Sequence, residues 1–117
     1  MDVNRPLKVI FFKTEHGSEP VRKWLKELSR EDRKTIGEDI KAVQYGWPIG
    51  RPLVRKLEPW HWEVRSQLDR RIARVTFTMY KNKIVLLHGF IKKAQKIPKN
   101  DLGISRKRLA LVRGDEE

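Results

Sequence analysis

The sequence predicts an α+β domain: a small, twisted, mainly antiparallel sheet with an N-terminal helical hairpin packed on one face. Three observations carry that reading. Apolar residues recur at helical spacing between Val21 and Val43. The breaker-rich stretch Gly46-Trp47-Pro48-Ile49-Gly50-Arg51-Pro52 then ends the helical half, and strand-like runs fill the chain from Leu53 to Lys92. At 117 residues, 38% hydrophobic and 36% charged, the chain has material for one domain, residues 1–117, with a single modest core.

Taken in order, Leu7 to Phe12 reads as a short β-branched and aromatic strand. Ser18-Glu19-Pro20 opens the first helix, with the Ser18 hydroxyl as cap and Pro20 in the first turn. Val21, Trp24, Leu25 and Leu28 follow at helical spacing. Ser29 and Asp32 form a capping-box pattern for a second helix, which carries Ile36, Ile40 and Val43 on one face. Few residues separate the two helices, so an antiparallel hairpin is expected. Beyond the breakers, Leu53–Leu57, Trp62–Ser66, Ile72–Tyr80 and Lys83–Lys92 read as strands, with a tight hairpin at Tyr80-Lys81-Asn82-Lys83-Ile84. Pro98 starts a last short helix bearing Leu102, Leu109 and Val112, weakened by Gly103. The expected order is β-α-α-β-β-β-α, with the helices on one face of the sheet.

Composition narrows the chemistry. The absence of cysteine excludes thiolate zinc sites and thiol nucleophiles and leaves nothing to tie the fold to an oxidising compartment. The longest early apolar run, Val9-Ile10-Phe11-Phe12, is too short for a signal core or a membrane span, so no membrane association and a cytoplasmic location are expected. His16, His61 and His88 lie far apart and no carboxylate cluster accompanies them, so neither a metal site nor a cofactor is expected. Gly-rich phosphate loops and nucleophile elbows are also absent from the sequence.

The net charge of +12 is uneven: residues 1–50 carry +2 and residues 51–117 carry +10. A basic excess concentrated in the strand-rich half is the electrostatic footprint of a polyanion binder, with RNA the first candidate. The alternative is solvated charge that serves solubility alone.

Within Ile72–Tyr80, alternation puts Ala73, Val75, Phe77 and Met79 toward the helices and Ile72, Arg74, Thr76, Thr78 and Tyr80 on the other, mixed side. Arg74 therefore points away from the main core, and Arg74→Ala is expected to spare the fold. A two-residue turn at Asp69-Arg70 would set Arg65 directly across from Arg74. Opposed like charges destabilise a sheet by a few tenths to about 1 kcal/mol, which an anion between them would relieve. The alternative is that one arginine pairs with Glu63 or Glu58. Lys92 and Lys93 end the last strand, with Lys96 and Lys99 following. A three-residue loop at Lys81–Lys83 would put Lys92 on Arg74's face, and a shift of one residue would put Lys93 there. Arg55 and Lys56 lead into Trp60-His61-Trp62, where a basic pair beside aromatics can hold a nucleic-acid backbone and stack a base. The bland alternative is that both tryptophans are core, which suits Trp62 better. His61 lies on the polar phase of its segment and is the candidate general acid/base; His88, in an apolar run, reads as a hydrogen-bonded core residue.

These residues also carry a family resemblance. Lys56-Leu57, Trp62-Glu63-Val64-Arg65, Ala73-Arg74-Val75, Leu86-Leu87-His88-Gly89-Phe90-Ile91-Lys92-Lys93 and Gln95-Lys96-Ile97-Pro98 resemble the RelE/ParE toxin superfamily, above all its phage-derived HigB-like branch, over nearly the whole chain. The resemblance implies a RelE-like fold and the toxin of a type II toxin–antitoxin system. Such a toxin would be a ribosome-dependent mRNA endonuclease that inhibits translation without a metal, the 2′-hydroxyl of RNA attacking the adjacent phosphate. Arg65, Arg74 and Lys93 (or Lys92) match the family's catalytic basic positions; the acid/base role then falls to His61, Glu63 or a lysine, or mostly to the ribosome, and Arg55, Lys56, Lys92 and Lys96 are the residues expected on the RNA. mRNA, the ribosome and a cognate antitoxin of helix-turn-helix type are the implied partners. The chain departs from the pattern in having Ala73 for an aromatic residue, His61 and Glu63 where basic residues are usual, and no tyrosine from Pro98 to Val112. The other readings are a ParE-like inhibitor of DNA gyrase without nuclease activity, and a nucleic-acid-binding module without activity.

Overall fold

The computed structural model describes residues 6–92 and 97–114. Its elements are β1 (Lys8–Phe11), α1 (Pro20–Glu27), α2 (Arg30–Gly46), β2 (Val54–Glu58), β3 (His61–Leu68), β4 (Arg71–Tyr80), β5 (Lys83–Lys92) and α3 (Lys99–Arg113). All five strands join one sheet in the order β1-β5-β4-β3-β2, with β1 parallel to β5 and every other pair antiparallel. The fold is α+β as expected, with one strand more than the expected order because all four runs after the hairpin pair. No helix among the described residues is long and apolar enough to cross a membrane.

Local chemistry starts each helix. Pro20 stands at the first turn of α1, where a missing N–H loses nothing. Ser18 is not its cap: Glu19 holds that position without a side-chain bond, and the Ser18 N–H donates to Thr14 Oγ1 (3.1 Å) within the preceding loop. Ser29 does cap α2, its Oγ accepting from the Asp32 N–H at 3.1 Å. The Asp32 carboxylate does not complete a reciprocal box; it pairs with Arg71 of β4 at 3.0 Å and so ties the hairpin to the sheet.

Val21, Ile36, Ile40 and Val43 of the hairpin bury against Val64, Ala73, Val75 and Phe77 of the sheet, the face that alternation assigned to the core. Trp62 belongs to this face, packing edge-on to Trp47 at 4.9 Å and stacked on Phe77. Trp60 does not. It sits in the β2–β3 turn at φ 62°, half exposed, beneath the Arg113 guanidinium at 4.0 Å.

The last helix departs from expectation. α3 is 15 residues long and covers the opposite face, where Leu109 and Val112 pack on Phe12, Val85 and Leu87. Its only fully buried residue is Ser105. Polar anchors therefore hold much of it: Arg106 on Glu58, Asp101 on His88, Arg108 on the Leu87 carbonyl and Arg113 on the Met79 carbonyl. The hairpin lies on one face as expected; the helices as a set occupy both.

Candidate functional site

Two tight turns and one bulge bring the basic residues together. The Asp69-Arg70 turn, with Arg70 at φ 59°, pairs Leu68 with Arg71 and so sets Arg65 opposite Arg74. At the next hairpin Lys81 and Asn82 both adopt positive φ (51° and 63°), the signature of a two-residue type I′ turn, and Tyr80 pairs with Lys83. That turn alone would leave Lys92 facing the hairpin. A bulge at Leu87, between the Thr76–His88 and Phe77–Leu86 pairs, inserts one residue and pairs Lys92 with Ile72 on Arg74's face. The two-residue loop was not the one expected to bring Lys92 there; the bulge supplies the missing residue.

The resulting cluster centres on a carboxylate. Glu63 is fully buried; its Oε1 forms an ion pair with Arg55 Nη2 at 3.1 Å and accepts from Arg74 Nη1 at 3.4 Å. Arg65 and Lys92 flank this group, both half-buried. Burial lowers the Arg74 pKa; Glu63 opposes the shift, while Arg65 and Arg55 add to it. Lys92 is likewise lowered, by burial first and by the Arg74 charge next. Guanidinium groups remain charged in proteins, so the cluster presents four cations around one anion. Arg55, Arg65 and Lys92 are partly exposed and able to receive phosphate oxygens, the two arginines through bidentate forks.

The structure corrects one expectation about Arg74. It does point away from the hairpin, yet it is 1% exposed, so the far side of the sheet is also interior at this position. Of the two readings for the arginines, pairing with Glu63 holds for Arg74. Lys56, expected beside Arg55, pairs with Trp62 and is exposed on the opposite face, away from the cluster. Lys93 and Lys96 lie outside the described residues.

His61, expected on the polar phase of its segment as the general acid/base, is 1% exposed. Its Nδ1 lies 3.1 Å from Glu58 Oε1, and its Nε2 lies 2.6 Å from Ser105 Oγ, which in turn lies 2.6 Å from Thr76 Oγ1. Both ring nitrogens are occupied within the protein, so the imidazole acts here as a bolt between sheet and α3. Its odd position in β3 predicted the face correctly; that α3 would cover that face was not legible locally. His88 is the hydrogen-bonded residue expected, with Nε2 2.7 Å from Asp101.

The Glu58 carboxyl pKa falls from 4.5 to about 2, chiefly because Arg106 hydrogen-bonds it, with His61 assisting and burial opposing. A carboxylate depressed by folding stabilises fully above its unfolded pKa and loses that contribution as pH falls through the folded value. The gap in urea midpoint between the wild type and Glu58→Gln is therefore expected to be widest near pH 6, to narrow below pH 4.5 and to close near pH 2. A gap that ignores pH would show that the carboxylate charge does not help hold α3.

Ser105 gave no sequence signal, since nothing in its helix marks a buried hydroxyl. Glu63 had one: it shares a strand face with Arg65 in the alternating His61-Trp62-Glu63-Val64-Arg65 run. Among the described residues no group of three or more His, Asp or Glu is placed to hold a metal ion.

The family model for phage-derived Gp49-like proteins (DUF891) matches residues 23–110, from within α1 to within α3. No curated protein matches the chain. The chain belongs to the phage-derived Gp49-like family.

Proposed function

We propose that this Gp49-like protein is the toxin of a type II toxin–antitoxin pair, a RelE/HigB-type endonuclease that cleaves mRNA on the ribosome. The observation that carries the reading is the cluster of Arg55, Arg65, Arg74 and Lys92 on one face of the sheet, four cations around one buried carboxylate. Membership of a phage-derived family and the resemblance to HigB-like toxins agree with it.

RNA brings its own nucleophile. The 2′-hydroxyl attacks the neighbouring phosphorus, the 5′-oxygen leaves, and a 2′,3′-cyclic phosphate forms. The protein must align that attack and stabilise the charge that builds on the non-bridging oxygens. Arg65 takes this role through its planar N–H fork, with Arg74 adding its charge from the interior behind it. With His61 sealed, Lys92 is the titratable group of the cluster suited to proton transfer. Its lowered pKa makes its ammonium a better acid toward the leaving oxygen than an ordinary lysine. A cognate antitoxin of helix-turn-helix type would hold the toxin inactive, and an acidic antitoxin segment would complement the +10 carried by residues 51–117.

Controlled expression tests the reading. Translation should stop within minutes, with transcripts cut inside their coding regions and cutting dependent on translation. Gyrase-dependent DNA breaks beside intact mRNA would overturn it in favour of a ParE-like toxin.

A further inference from the structure

A carboxylate is an odd centre for a site that receives phosphate. Glu63 repels the ligand, and glutamine would fill the same space without doing so. Yet Glu63 is wholly buried, with Arg55 at 3.1 Å and Arg74 at 3.4 Å converging on one oxygen, and its Oε2 has no hydrogen-bond partner. Each contact engages a terminal nitrogen of a group that has five N–H donors, so the carboxylate helps set how both guanidiniums are oriented. It stands on β3 between two cations on the flanking strands β2 and β4 that would otherwise repel each other.

We propose that Glu63 is the positioning residue of this cluster: its charge holds the partly exposed Arg55 guanidinium, and the buried charge of Arg74 behind it, in the arrangement that faces the reacting phosphate, at the expense of affinity for RNA. The proposal rests on the nuclease reading for its effect on rate, but its effect on affinity can be measured without cleavage. It separates orientation from attraction, because removing Glu63 strengthens one and ruins the other.

The test compares the full-length wild type, Glu63→Gln, Glu63→Asp and the charge-restoring double variant Glu63→Gln/Arg55→Gln. Binding is read with a 2′-O-methyl RNA hexamer, which lacks the nucleophile, over a salt series. Cleavage is read as a single turnover on programmed ribosomes. Glu63→Gln should bind more tightly, with a salt slope steeper by about 0.7, as one added cationic contact to a single strand requires. Its cleavage rate should fall on the order of 100-fold, the scale of a misplaced catalytic group. Glu63→Asp should keep the wild-type salt slope. The double variant should recover that slope but not the rate, and it should be no less stable than Glu63→Gln, because it leaves one cation rather than two beside the neutral side chain.

Wild-type cleavage by Glu63→Gln, or recovery of rate in the double variant, would overturn the positioning role. A parallel loss of binding and cleavage that tracks a lowered melting temperature in every variant would do the same. A wild type that binds the hexamer but leaves ribosomal mRNA intact would end the nuclease reading instead; the salt slopes would then decide whether Glu63 offsets the cluster's charge.

Discussion

Arg74→Ala is expected to abolish mRNA cleavage and to destabilise the fold by about 3 kcal/mol, the lower end for breaking a buried ion pair. The side chain is almost fully buried, and its removal takes a guanidinium from the interior Glu63 carboxylate, which keeps only the Arg55 contact at 3.1 Å. Loss of its fixed positive charge beside the transition state is worth a further ~100-fold or more in rate. Urea unfolding reads the first effect, and cleavage of transcripts in a translating extract reads the second. Arg65→Ala provides the control. Arg65 is half-buried and no Glu63 contact depends on it, so its removal should reduce cleavage comparably with a much smaller loss of stability. An Arg74→Ala protein as stable and as active as the wild type would remove Arg74 from both roles.

Gly89→Ala is expected to be nearly as damaging, for a reason unconnected with charge. A Cβ built on Gly89 would stand 2.4 and 2.5 Å from Cε3 and Cζ3 of Trp24. The Trp24 indole of α1 packs against the backbone of β5, an interior strand of the sheet, and only a residue without a side chain leaves room for it. A rigid ring between hairpin and sheet cannot yield as the end of a flexible chain would. The substitution should cost about 3 kcal/mol, the upper end for overpacking. Trp24→Leu on its own should also destabilise, but in the double variant the two losses should add to less than their sum, since the clash disappears with the ring. Additive losses would show that Gly89 is required for something other than Trp24. This contact gives a physical reason for the glycine inside Leu87-His88-Gly89-Phe90.

Much of this was legible in the residue order, and the reasons are local. A hairpin helix must bury one stripe and a strand one face, so spacing alone assigned Val21, Ile36, Ile40 and Val43 and the Ala73-Val75-Phe77 face to a common core. Short turns transmit register over a whole hairpin, and so a two-residue turn at Asp69-Arg70 was enough to oppose Arg65 and Arg74. What stayed hidden depends on contacts between residues far apart in the chain. Alternation says which side of the sheet Arg74 and His61 face, but not that α3 shields part of that side. α3 shows only a weak apolar stripe because it is anchored largely through Glu58–Arg106, His61–Ser105 and His88–Asp101, pairs that no periodicity announces. The Leu87 bulge is equally silent in the sequence, yet it turns Lys92 to the cluster. Periodic burial wrote the elements and their faces into the chain; covering the second face, and burying charges there in partnered positions, required the folded sheet and its last helix together.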